Sequence, residues 1–147
     1  MNLHLPILAN PSADPILALL LNSKTIAVVG LSSNPTRPSN GVAAYLQSAG
    51  YRIIPVNPNV SEVLGEKSYA RLEDVPEPVD IVDVFRRPEN VPSIADSAVA
   101  IKAKALWLQL GIENPAAAAK AHIAGLTVVE NACLLIEHKK RRQQLAR

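Results

Sequence analysis

TIAVVGLSSNPTRPSNGVAAYLQSAGYRIIPV, residues 25–56, is the stretch that decides the fold. Thr25–Val29 is a short β-branched run that stops at Gly30, and a polar loop of Ser, Asn, Pro and Arg follows. From Ser39 to Ala49 the apolar residues recur three and four apart, the spacing of a helix with one buried face. Gly50 stands where a left-handed residue ends a helix, and Tyr51–Val56 is apolar again. A strand, a helix and a strand in that order form a crossover unit, which joins parallel strands. Neither strand alternates polar with apolar residues, so the sheet must be covered on both faces.

The same alternation runs outward to the C-terminus. Val79–Phe85, Ala105–Leu108 and Leu126–Val129 read as strands, with helices over Val91–Ala103 and Pro115–Ala124 between them. Asn114 and Pro115 supply a cap and a first-position proline, Pro88 plays a similar part before the preceding helix, and Gly125 marks a helix end. A last helix is expected from about Ala132, capped by Asn131 and running into the basic end of the chain. Upstream, Asp14 and Pro15 open a short helix that reaches about Asn22, and residues 1–13 read as an irregular leader. The segment Asn57–Glu77 is irregular, with a turn at Leu64-Gly65-Glu66 and a helical turn near Ala70–Val75. The expected organisation is a leader with a short helix (1–23), one α/β domain (24–138) and a basic tail (139–147). Its fold class is a doubly wound, Rossmann-like parallel sheet of five strands, helices on both faces, in the order 3-2-1-4-5. One residue resists that order: Pro55 falls inside the second strand, where it removes a ladder donor.

Composition limits the chemistry. The chain has 147 residues, 48% hydrophobic and 19% charged, which suits one compact domain. One Phe, one Trp and three Tyr are too few for a base-stacking platform, and a single cysteine excludes an intrachain disulfide framework. His4, His122 and His138 have no metal-ligand spacing. The net charge of +2 misleads, because residues 139–147 carry Lys139, Lys140, Arg141, Arg142 and Arg147 and no acid. That tail reads as a solvated helix end and not as a nucleic-acid face. No apolar run approaches the roughly 20 residues of a membrane span, and no convincing signal sequence appears, so a cytoplasmic, reduced protein is expected.

In an open parallel sheet, ligands lie beyond the carboxyl ends of the strands. The first such loop, GLSSNPTRPS at positions 30–39, opens a helix. Gly30 permits the tight turn, the helix start offers N–H groups to an anion, and Ser32, Ser33 and Ser39 add hydroxyls. Arg37 adds a forked cation suited to phosphate, and Pro38 fits the first helical turn. Asn57 ends strand two with a side chain that can reach a ribose or base edge, or can simply make a turn with Pro58. Phe85-Arg86-Arg87 ends strand three with two cations beside a ring, although one arginine could pair with Glu89 or Asp83 instead. Gln109, Gly111 and Glu113 end strand four, where Gly111 allows close backbone approach. The dinucleotide fingerprint is absent, because Ser32 and Pro35 stand where glycines are needed and no acid ends strand two. A phosphate-cradling P-loop is absent too. No catalytic set and no metal set appears among the residues.

The segments VVGLSSNPTRPSNGVAAYL, YRIIPVNP, VDIVDVFRRPENV, ALWLQLGI and ACLLIEH resemble the small stand-alone CoA-binding proteins. Those are single Rossmann-like domains similar to the CoA-binding domain of the succinyl-CoA synthetase α subunit, and the likeness spans about Lys24 to His138. It implies CoA or an acyl-CoA as ligand, with Gly30, Ser32, Ser33, Arg37, Pro38 and Ser39 at the phosphates. It further implies Asn57 and Pro58 beside the nucleotide, Phe85, Arg86 and Arg87 around the adenosine and its phosphates, and Trp107-Leu108-Gln109 toward the pantetheine. Asn40 departs from the larger Tyr or His common in relatives. CoA carries a diphosphate and a 3′-phosphate, and three arginines suit that charge. The expectation is a binding or regulatory module without catalysis. Against it stand an NAD(P)-type oxidoreductase, opposed by the missing glycines and acid, and an acyl-CoA synthetase, opposed by chain length. A third alternative is a thiol-redox sensor using Cys133, which otherwise reads as a small buried residue of the last helix.

Overall fold

The computed structural model describes residues 2–4 and 14–146. In chain order its elements are β1 (Asn2–His4), α1 (Pro15–Leu21), β2 (Thr25–Val29), α2 (Pro38–Ser48), β3 (Arg52–Val56), β4 (Glu62–Val63) and β5 (Glu66–Lys67). They continue with β6 (Ile81–Val84), α3 (Val91–Ala100), β7 (Ala105–Leu108), α4 (Pro115–Ile123), β8 (Thr127–Glu130), α5 (Leu134–Lys140) and α6 (Arg142–Leu145). Single 3₁₀ turns lie at Leu72–Asp74 and Pro88–Asn90.

Five strands, β3, β2, β6, β7 and β8, lie parallel, as the uninterrupted apolar runs required. Helices cover both faces. Residues of α1, α2, α5 and α6 pack with Ile26, Val28, Ile81 and Trp107 on one side, and residues of α3 and α4 pack with Ala27, Val82, Leu106 and Val128 on the other. Trp107 is wholly buried and its Nε1–H donates to the Ala132 carbonyl, so it is a core residue.

The strand order differs from the expected 3-2-1-4-5. Counting the parallel strands along the chain, the observed order is 2-1-3-4-5, with β6 between β2 and β7 and β3 at the edge. Pro55 explains the difference. Arg52 N–H and the Val56 carbonyl bond toward the β2 side, whereas the Pro55 carbonyl faces outward and accepts from Tyr69 N–H. The missing Pro55 donor therefore points away from β2, which an edge strand tolerates and a central strand does not. All four residues of β6 are buried, as a central position demands.

The leader was expected to be irregular, but Asn2–His4 pairs antiparallel with β8 and covers an edge that would otherwise be open. Three residues are too few to show a strand period, and the rest of the leader lies outside the described residues. Asp14 caps α1 as expected, accepting from Ile16 and Leu17 N–H. The basic end is less solvated than expected. Arg141 pairs with Asp14 and Glu137, and Leu145 of α6 is buried in the core. Among the described residues no helix is long and apolar enough to cross a membrane.

Candidate functional site

The crossover from β2 to β3 runs on one face of the sheet, and those from β6 onward run on the other. Right-handed connections on opposite faces lead in opposite directions, so the loops leaving β2 and β6 part and leave a crevice between them. Gly30 sits at its base with φ +89°, and its N–H donates to the Val56 carbonyl. A Cβ at this position would lie 2.5 Å from the Phe85 carbonyl oxygen and 3.2 Å from Arg86 Nε. Only glycine fits there.

The loop that follows is held by its own polar groups. Ser32 N–H donates to Ser39 Oγ at 3.0 Å, and Asn34 N–H donates to Ser32 Oγ. Asn40 Nδ2 donates to the Ser32 carbonyl and Asn57 Nδ2 to the Leu31 carbonyl. Asn57 Oδ1 also accepts from Asn59 N–H, so the side chain expected to reach a ligand braces the loop with both its polar atoms. Asn40 has a clear role of its own as the second brace. Arg37 occupies the N-cap of α2 without a side-chain capping bond, and Pro38 has no N–H, so the positive end of this 11-residue helix opens outward.

A cleft of about 370 Å³ results, lined by Gly30, Ser32, Arg37, Pro38, Ser39, Asn57, Phe85 and Arg86. Every one of them was expected at the site. A second cleft of about 550 Å³ shares Pro38, Phe85 and Arg86, and adds Arg87, Gln109 and Cys133 to the expected residues it contains. Ser33, Pro58 and Gly111 line neither. Gly111 serves a turn instead, with φ +84° and its N–H donating to Asn131 Oδ1. Among the described residues, no carboxylate pairs with Arg37, Arg86 or Arg87, whereas Arg52, Arg71 and Arg141 all have acidic partners. Asp83, expected as a surface partner of an arginine, is fully buried in β6 and neither carboxyl oxygen has a partner. Burial pushes its pKa well above the ordinary carboxylate range.

Cys133 is half-buried and is itself the N-cap of α5, correcting the expectation that Asn131 caps a helix containing it. Asn131 takes a left-handed conformation, φ +55°, to accept the Gly111 N–H. Gln109 is committed as well, its Oε1 accepting the Leu134 N–H at the start of α5. His138 does not approach Cys133 as a partner in any bond described, since its Nδ1 meets the Tyr45 hydroxyl at 2.8 Å. Sequence reasoning missed Val42, Leu110, Ile112 and Ile136 in the second cleft. A signal existed for Ile136, which lies one helical turn beyond Cys133. A further cleft of about 450 Å³ on the α3 face, lined by Val29, Arg71, Glu73 and Ser97 among others, contains none of the expected residues, and its arginine is already paired.

The chain matches the CoA binding domain family over residues 24–139. It belongs to that family. Among relatives of this chain, YneT of Bacillus subtilis (strain 168) is 43% identical over 129 residues, covering 88% of this chain and 96% of YneT. The solved structure of a hypothetical protein from Pyrococcus horikoshii OT3 superposes with a TM-score of 0.84 at 37% identity, over 95% of this chain and 98% of that one. The ADP-forming acetate–CoA ligase II of Archaeoglobus fulgidus is 32% identical over 82 residues, 54% of this chain but 12% of the ligase. CoA-binding family membership and the doubly wound fold thus agree with the switch-point crevice.

Proposed function

We propose that this protein binds CoA at the crevice between the β2 and β6 loops and acts as a binding or regulatory module with no catalysis of its own. One observation carries the reading. The three arginines at the strand ends have no carboxylate partners among the described residues and face one pair of adjoining clefts. Arg37 and Arg86 take the phosphates in the polar cleft with Gly30, Ser32 and Ser39, and Arg87 stands at the boundary with the second cleft. Unpaired guanidinium groups suit a ligand with several phosphates, because forked donors match phosphate oxygens. Residues 24–138 form the binding unit, and the setting is the reduced cytoplasm. Isothermal titration with CoA, 3′-dephospho-CoA and NAD tests this. The expected ranking is CoA first, then the dephospho compound, with NAD weakest; equal or absent binding of all three rejects it.

The position of Cys133 on the second cleft favours one subsidiary reading, a thiol-redox sensor. Its thiolate would attack CoA disulfide, break the S–S bond, form a mixed disulfide and release one CoA thiolate. Intact mass after treatment with CoA disulfide should rise by one CoA moiety, and an unchanged mass rejects the sensor while leaving the binding reading intact.

A further inference from the structure

Two buried asparagines reach the loop after β2 from different elements. Asn40 lies in the first turn of α2 and Asn57 follows β3, and each is 8% exposed. Asn40 Nδ2 donates to the Ser32 carbonyl at 2.9 Å, and Asn57 Nδ2 donates to the Leu31 carbonyl at 3.0 Å. Two successive carbonyls of one loop are thus tied to interior side chains. In a trans peptide the carbonyl and the next N–H point in opposite directions, so the same bond turns the Ser33 N–H outward. The hydroxyls follow suit. Ser39 Oγ accepts from Ser32 N–H and Ser32 Oγ from Asn34 N–H, which leaves each hydroxyl its proton to donate into the cleft that both residues line.

A carbonyl oxygen is an acceptor with a partial negative charge, and one turned into the 370 Å³ cleft would oppose the phosphate oxygens drawn by Arg37 and Arg86. We infer that Asn40 and Asn57 are positioning residues for anion binding, which hold the Ser32 and Leu31 carbonyls inward so that donors face the phosphates. This role rests on the CoA reading above. Asn57 lines the cleft but has both polar atoms committed, and Asn40 lines neither cleft, so each acts through the loop. Without its amide partner the Ser32 carbonyl would be buried and unpaired, which is costly. Turning that peptide toward water relieves the cost and exposes an acceptor beside the anion site.

Calorimetric titration of the full chain with CoA at pH 5 and pH 8 tests this at Asn40. Asn40→Leu fills a similar volume without a donor and should bind CoA about tenfold more weakly than the parent at both pH values. Asn40→Asp presents an acceptor while ionised and a donor once protonated, and burial lifts such a carboxyl above the ordinary pKa of about 3.9. Relative to the parent at the same pH, it should bind more weakly than Asn40→Leu at pH 8 and more tightly at pH 5. A role confined to fold stability moves urea midpoints but gives no such crossover in affinity between folded variants. Asn40→Ala, which cannot overpack, repeats the comparison if leucine disturbs folding. Parent-like affinity in the variant without a donor, or Asn40→Asp binding no more tightly than that variant at pH 5, overturns the inference and leaves the CoA reading standing. Absence of CoA binding to the parent rejects both.

Discussion

Replacing Gly30 by alanine tests the crevice at its tightest point. The added Cβ would lie 2.5 Å from the Phe85 carbonyl oxygen, so backbone must move, and φ of +89° is strained for any side chain. The strain alone costs about 1–2 kcal/mol. The forced backbone shift adds about 1–3 kcal/mol, the usual range for overpacking. Gly50→Ala is the control, because its φ is +104° and its Cβ would meet nothing within 4 Å. Urea denaturation of both variants isolates the close approach as their difference. Gly30→Ala should unfold at a midpoint about 2–12 °C lower than Gly50→Ala in thermal scans, taking roughly 2–4 °C per kcal/mol for a chain of this size. CoA affinity should also fall for Gly30→Ala, since the shift displaces Phe85 and Arg86 together, and be unchanged for Gly50→Ala. Equal losses of stability in the two variants would refute the argument that the β2 and β6 loops are in obligatory contact.

Arg86→Ala should weaken CoA binding by about ten- to a hundredfold, the loss of a charge-assisted bond worth roughly 1.5–3 kcal/mol, whereas Arg71→Ala, already paired with Glu73, should leave it within about twofold; titration at two salt concentrations checks both. Asp83→Asn should gain stability over the parent as pH rises from 4 toward 8. The buried carboxyl has a raised pKa, so the parent's stability is fullest below about pH 3.9, where unfolded Asp is protonated, and declines as only the unfolded state ionises. Urea midpoints at pH 4 and pH 7.5 measure this, and a pH-independent difference would refute it. Gln109→Leu removes the acceptor of the buried Leu134 N–H and should cost about 1–3 kcal/mol in urea denaturation.

The fold class was legible because the strands are uninterrupted apolar runs and the helices carry their caps, Asp14 and Asn114, in plain view. The strand order was not, since hydrophobic period says which segments are strands and not which are neighbours. The polar cleft was legible because Gly30, Arg37 and Arg86 stand at strand ends, where local sequence marks the turn. The apolar cleft was not. Leu110, Ile112 and Ile136 come from a loop and a distant helix, and an apolar residue looks the same in a sequence whether it fills a core or rims a groove. Asp83 was misread for a related reason, because a carboxylate in VDIVDVF ordinarily belongs at the surface, and only the central position of β6 buries it.

The misplaced strand and the well-placed arginines reflect one constraint. In a 3-2-1-4-5 sheet, β3 would separate β2 from β6, setting the ends of those two strands about 10 Å apart across two interstrand spacings. Gly30 could not then approach the Phe85 carbonyl, and Arg37 and Arg86 would face separate grooves. With β6 beside β2, the Phe85 N–H donates directly to the Val29 carbonyl at 2.8 Å, and the two loops diverge from a single ladder. Pro55 enforces this arrangement from a distance: having no outward donor, β3 has one face left for a full parallel ladder, so β6 must pair with the other edge of β2. A proline that looks like a blemish in the second strand is thus what brings the first and third strand ends, and their cations, together.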